Sequence, residues 1–174
     1  MLFRTRVRSR FEKKVRAPDL FKRTLAIMQV KSVVLLDEAQ CEVLESFLVE
    51  RIYEFNSHAT GYFDGRLVGG SIHDSKGEVI AGYCGHTWGG SCELTSVWVR
   101  ENHRGQGLGR ALLESAEAEA GRRGCRQLVL RTHSFQAPGF YEAQGYERRH
   151  VVEDVPKGYS DFVYVKVLRA NPGG

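Results

Sequence analysis

Between residues 93 and 146 the chain gathers residue types suited to holding an anion and moving protons. "VWVRENHRGQGLGRALL" (97–113) runs from an apolar β-type stretch through a charged corner to Gly105, Gly107 and Gly109. These glycines lie between Arg104 and Arg110, and helix formers follow. The first N–H groups of a helix lack intrahelical acceptors, and the macrodipole places about half a positive charge there. Glycine lets the backbone approach an anion with no Cβ in the way, and the arginines add charge-assisted bonds to phosphate oxygens. A phosphate or pyrophosphate ligand follows from that chemistry; a flexible helix entry with no ligand is the plain alternative. The spacing is not GxxxxGK[ST], and the third glycine comes one residue early for GxGxxG. The stretch before the loop also reads as an antiparallel strand, which argues against a Rossmann unit.

The elements that must position this loop are readable from periodicity. "VKSVVLL" (30–36) predicts a short buried strand by its β-branched content. Asp37 and Gln40 have capping-box spacing, and Cys41, Leu44, Leu48, Ile52 and Phe55 recur at helical intervals, so 38–55 predicts a packing helix. "RLVGGSIHDS", "EVIAGYCGHTW" and "SCELTSVWV", separated by "SKG" and "GG", predict an antiparallel meander from Tyr62 to Val99. Residues 107–122 predict a helix, 126–134 a strand and 136–144 a short helix opened by Pro138 and stopped at Gly145. "YERRHVVED" and "DFVYVKVL" complete the series as two strands. The order strand–helix–three strands–helix–strand–helix–two strands describes an α/β or α+β domain with a mixed sheet.

Two motifs in that order carry a family resemblance. Arg104-x-x-Gly107-x-Gly109 resembles the [R/Q]-x-x-G-x-[G/A] signature of the GNAT superfamily of acyl-CoA-dependent N-acyltransferases, and "FYEAQGY" (140–146) resembles that family's F/LYxxxGF segment. The resemblance covers residues 30–168 and implies a mixed, mostly antiparallel sheet of about six to seven strands, flanked by helices and splayed at a central strand pair. It implies that Arg104, Gly105, Gln106, Gly107, Leu108, Gly109 and Arg110 hold the pyrophosphate of coenzyme A. The backbone of Val97, Trp98 and Val99 would pair with the pantetheine arm, their side chains being core. Ser134 stands where many members carry an asparagine that contacts this arm, and its reach is shorter.

The activity so implied is transfer of an acetyl group from acetyl-CoA to a primary amine, by direct attack in a ternary complex. An ammonium must lose a proton before it attacks a thioester, so a carboxylate or histidine must accept one. Glu93 lies where several members carry a general-base glutamate; His86, His133 and Asp74 are rivals. Tyr141 occupies the family's general-acid position, and a backbone amide from 97–99 is the natural oxyanion donor. Tyr62, Phe63, His58, Trp88, Tyr159 and Asp161 are candidates for an acceptor cleft, since aromatic walls with a carboxylate suit a cationic amine. The acceptor, a small molecule or a peptide amine, stays open. The alternative of a different class is a catalytically silent acyl-CoA-binding sensor or interaction domain.

Composition bounds the rest. The 174 residues suit one domain, 42% of them are hydrophobic, and the mean hydropathy is −0.34, as in a soluble globular protein. Nine Lys and Arg against two acids give residues 1–26 a charge of +7, which leaves −3 for the remainder of a chain whose net charge is +4. The basicity therefore belongs to a tail and is no nucleic-acid signature. That tail reads as a mobile extension or upstream start, with a transit peptide or a contact to an acidic partner as alternatives, and 27–174 as a single GNAT-type domain. Neither a secretory h-region nor a membrane-length apolar run is present, so the expected location is cytoplasmic, without membrane or nucleic-acid partners; a homodimer is compatible. Cys41, Cys84, Cys92 and Cys125 lack CxxC spacing and read as buried or half-buried free thiols. Cys84, His86 and Cys92 offer no fourth ligand, so no metal is expected.

Overall fold

The computed structural model describes residues 33–168, so the basic tail lies outside the described residues. The chain divides into two compact units, residues 1–61 and 62–174.

In the first unit, helix α1 (Glu38–Thr60) begins as the sequence requires. Gln40 N donates to Asp37 Oδ1 at 2.8 Å, and Asp37 N donates to Gln40 Oε1 at 3.1 Å, a reciprocal capping box. The helix runs past the predicted Phe55 to Gly61, whose left-handed backbone (φ 77°) lets its N–H reach the Ser57 carbonyl. Leu44, Leu48, Ile52 and Phe55 are exposed, and Ser57 is the buried residue of the helix. Residues 33–36, the described part of the strand expected at 30–36, have no regular secondary structure.

The second unit is a six-stranded sheet. Its strands are β1 (Arg66–His73), β2 (Val79–Trp88), β3 (Ser91–Val99), β4 (Gln127–His133), β5 (Glu147–Glu153) and β6 (Ser160–Val167), in the spatial order β1-β2-β3-β4-β6-β5. All neighbours are antiparallel except β3 and β4. Helices α2 (Leu108–Arg122) and α3 (Pro138–Ala143) follow β3 and β4. Among the described residues no helix is long and apolar enough to cross a membrane.

Helix α2 buries Leu112, Leu113, Ala116 and Ala120, the one-sided spacing of a helix packed on a sheet. These residues join Val68, Tyr83, Leu94, Leu128 and Leu130 in one core. Each leucine so buried contributes about 2 kcal/mol.

The parallel pair is incomplete. β3 and β4 are in register only from Ser91–Gln127 to Leu94–Leu130; beyond that, residues 95–99 and 131–133 have no partner across the gap. Thr95 marks the parting point. It is an extra residue between the β2–β3 pairs Cys84–Ser96 and Gly85–Leu94, so β3 carries a bulge there. The inward series accordingly shifts from Cys92 and Leu94 to Val97 and Val99, while Thr95 and Ser96 are both exposed. Thr95 Oγ1 donates to the Cys84 carbonyl at 3.2 Å and closes the bulge. Opposite it, a Cβ on Gly85 would lie 2.0 Å from the Glu93 carbonyl oxygen, so only glycine fits. Gly85→Ala should therefore lower stability by on the order of 3 kcal/mol, read as a fall in urea midpoint at constant m value. A loss below about 0.5 kcal/mol would mean the bulge relaxes freely.

Candidate active site

The glycine loop opens at the same end of the sheet as the gap. After β3 the chain makes a 3₁₀ turn, Glu101–His103, and Gly105 (φ 74°) and Gly107 (φ 82°) then adopt left-handed backbone before α2 begins at Leu108. Among the described residues, no backbone acceptor takes the N–H groups of residues 105–110; the first closed bond is Ala111 N to Gly107 O at 3.1 Å. A run of free amides over alternating glycines is a concave anion-binding nest, with the N-terminal end of the α2 dipole behind it. A Cβ at Gly105 or Gly107 would meet nothing within 4 Å, so the demand for glycine there is conformational. Gly109 differs: its missing side chain leaves room for Phe140, whose Cζ would lie 3.0 Å from a Cβ. The third glycine of the motif thus seats α3 against α2.

Arg104 folds back, its Nε donating to the Val99 carbonyl at 3.2 Å, and Gln106 Nε2 donates to the Asn102 carbonyl at 3.4 Å. Arg100 N donates to Ile80 O, so by strand alternation Trp98 also turns its backbone to β2. Val97 and Val99 then direct theirs into the gap, which is how Arg104 reaches the Val99 carbonyl. The side chains of Val97 and Val99 pack on the core, whereas Trp98 is half-exposed.

Within the gap lies a polar cleft of about 250 Å³ lined by Thr95, Arg131, Thr132, His133, Gln136 and Asp161. Asp161 is nearly buried, and its Oδ2 accepts from Arg131 Nε at 2.9 Å and also from Nη2. That pair holds the Arg131 charge firmly, raising its pKa further. His133 Nδ1 is buried without a hydrogen-bond partner, 3.9 Å from Asp161 Oδ1. Glu93, exposed on the same face as Arg131, lies 3.8 Å from His86 Nε2.

Tyr141 sits on α3 with its ring buried between Tyr146 and Tyr164, at centroid distances of 6.0 and 6.1 Å. Its hydroxyl has no hydrogen-bond partner among the described residues. Burial raises its pKa by penalising the phenolate, so the group stays a proton donor at neutral pH. The surroundings are pinned: Glu117 of α2 accepts from Tyr146 Oη at 3.0 Å and from Lys166 Nζ at 2.8 and 2.7 Å, and Tyr164 Oη donates to Glu142 at 2.7 Å.

Other expected residues make bonds within the protein. The Ser134 hydroxyl accepts from Ser160 N at 3.1 Å and ties the end of β4 to β6. Asp74 forms the β1–β2 turn, taking the N–H groups of Glu78 and Lys76, which lower its pKa. Trp88 donates to the Tyr62 carbonyl at 2.9 Å at the closed end of the β2–β3 hairpin, so these two rings lie away from the gap. Cys92 points into the core, opposite to His86, and burial pushes its thiol up to about 11. Among the described residues no group of three or more His, Cys, Asp or Glu could hold a metal. Thr95, Arg131, Thr132 and Gln136 line the cleft without being site candidates in the sequence, and of these Arg131 has a sequence signal, a charge inside the apolar run "LVLRTH".

The chain is similar in sequence and fold to known proteins. Residues 64–148 match the family model of the acetyltransferase (GNAT) domain. The chain is 37% identical over 94 residues to blasticidin-S acetyltransferase of Streptomyces morookaense, which covers 53% of this chain and 69% of that protein. A crystal structure of an acetyltransferase from Bacillus cereus ATCC 14579 superposes with a TM-score of 0.66 at 28% identity, over 81% of this chain and 100% of that one. An aminoglycoside 6'-N-acetyltransferase complexed with coenzyme A shares the fold at 18% identity and a TM-score of 0.54, over 63% of this chain and 76% of that one.

Tyr146→Phe removes one donor while Lys166 still pairs with Glu117. It should lower stability by about 1–2 kcal/mol in urea unfolding, and no loss would mean that this hydrogen bond does not hold the segment after α3 to α2.

Proposed function

Since the chain belongs to the GNAT superfamily and is an acyltransferase, we propose that it transfers an acetyl group from acetyl-CoA to a primary amine, by direct attack within a ternary complex. The observation that carries this reading is the meeting of two open backbone edges at one end of the sheet. The free amides of residues 105–110 offer donors that suit an anion, and the unpaired stretch of β3 offers bonds to an extended arm. Coenzyme A has that shape, a diphosphate joined to an amide-rich chain ending in a thiol. We take residues 27–174 as one catalytic domain and 1–26 as an extension outside it.

In this mechanism the amides of Gly105 to Arg110, with Arg104 and Arg110, grip the diphosphate. The backbones of Val97 and Val99, with Trp98 between them, pair with the pantetheine arm, and the Ser134 hydroxyl, which accepts from Ser160 N, keeps a proton to donate to it. The thioester carbonyl then reaches the bulge. Glu93, directly or through water, takes a proton from the ammonium, and the free nitrogen attacks the carbonyl carbon. A backbone N–H from 97–99 carries the negative charge that develops on the oxygen. As the tetrahedral intermediate collapses, the C–S bond breaks and Tyr141 gives its proton to the departing sulfur, regaining one from solvent. A protonated Tyr141 with an unengaged hydroxyl supports that role, and no covalent enzyme intermediate is needed.

The acceptor belongs to the polar face bearing Glu93 and Asp161, and blasticidin S, named for a relative, is the first to try. The test is thiol release from acetyl-CoA that requires an added amine; hydrolysis at the same rate without amine would refute the transfer. Gly107→Val should raise the KM for acetyl-CoA at least about tenfold, because a branched side chain obstructs the amide nest and strains a left-handed position. Tyr141→Phe should instead lower kcat by on the order of 10²-fold with little change in KM. An unchanged kcat would remove Tyr141 from the chemistry.

A further inference from the structure

Beside the cleft, three rings form an unbroken run. His133, a wall of the cleft, stacks on Phe135 at 5.2 Å and 14°, and Phe135 meets Tyr159 edge-on at 4.9 Å. His133 and Asp161 are register partners on one face of the sheet, the face that also bears Arg131 and Glu93, so the run starts on the acceptor side. Phe135 and Tyr159 are 53% and 51% exposed. A single exposed ring is ordinary; two in contact, bordering a polar cleft, form an apolar ledge rimmed by polar groups.

The ledge is held from below. Ser134 N donates to Ser160 O, and Ser160 N returns a bond to Ser134 Oγ. Val155 N and the Tyr159 carbonyl close the β5–β6 turn on the other side. Rings mounted on pinned backbone lose little freedom when something stacks on them. Within the cleft Asp161 pairs with Arg131, and the exposed carboxylate of Glu93, on the same face of the sheet and 3.8 Å from His86, is the group that attracts an ammonium. Charge at one end and aromatic surface at the other define a molecule with both features.

We infer that the acceptor is an amine on a short linker from a planar aromatic ring, with its nitrogen in the cleft and its ring on Phe135 and Tyr159. This rests on the amine-acetylation reading above and narrows its substrate class. Ring-on-ring packing exceeds plain apolar contact of equal area, which sets the contrast to measure.

The test compares 2-phenylethylamine with 2-cyclohexylethylamine, which match in size and amine but differ in the ring, and includes propylamine. The aromatic amine should be preferred at least about fivefold in kcat/KM, through KM, and Phe135→Leu should bring that ratio close to one. A ratio near one in the unaltered protein overturns the inference. So does a ratio that survives in both Phe135→Leu and Tyr159→Leu, or a Phe135→Leu defect confined to the KM for acetyl-CoA. Turnover of propylamine without turnover of either ring-bearing amine also overturns it, and leaves the amine reaction standing. Thiol release with none of these amines nor with blasticidin S, while coenzyme A still binds, refutes the amine reaction and the inference together.

Discussion

The sheet depends on one broken ladder. Two parallel strands that began as neighbours cease to pair after four residues each, because the bulge at Thr95 turns β3 away from β4. Unpaired backbone inside a sheet is costly unless something else satisfies it. Here the fold leaves the edge open and surrounds it with chemistry: an amide nest at the mouth, a buried tyrosine on one face and a carboxylate-bearing cleft on the other. On the reading proposed above, a ligand that supplies an extended amide chain ending in a diphosphate would complete the ladder that the protein left unfinished.

Rigidity around the gap makes such an arrangement useful. Asp161 fixes Arg131, Ser134 and Ser160 clasp each other, and Glu117 joins α2 to Lys166 of β6 and to Tyr146 beyond α3. Each contact crosses from one element to another, so the walls are held independently of any ligand. Preorganised dipoles and donors act more strongly on developing charge than groups that must first rearrange. The glycines divide the same labour. Gly105 and Gly107 shape the nest, Gly85 makes room for the bulge and Gly109 admits Phe140, so a single residue type serves three physical purposes.

Local signals were legible in the sequence and long-range ones were not. Six strands, the helix after the glycine loop and the Asp37–Gln40 capping box all follow from periodicity and capping chemistry within short windows. The helix at 38–55 extends further because Gly61, not Phe55, supplies the left-handed stop. The bulge at Thr95 has no local mark, since its signal is the match between Gly85 and Glu93 on different strands. Trp88 and Tyr62 looked like acceptor-cleft residues by composition, but the direction of the β2–β3 hairpin carries them to the closed end of the sheet. Arg131 and Asp161 pair across β4 and β6, thirty positions apart in sequence, and only register brings them together.

The central claim, that main-chain amides at the mouth of the gap take the diphosphate while β3 takes the arm, is tested most directly by amide NMR. Coenzyme A added to labelled protein should shift the N–H resonances of Gly105 to Arg110 together with those of Val97 and Val99. Pantetheine, which lacks the diphosphate, should move the β3 amides only at much higher concentration and leave the loop amides in place. Coenzyme A that binds while the loop amides stay unmoved would contradict the account.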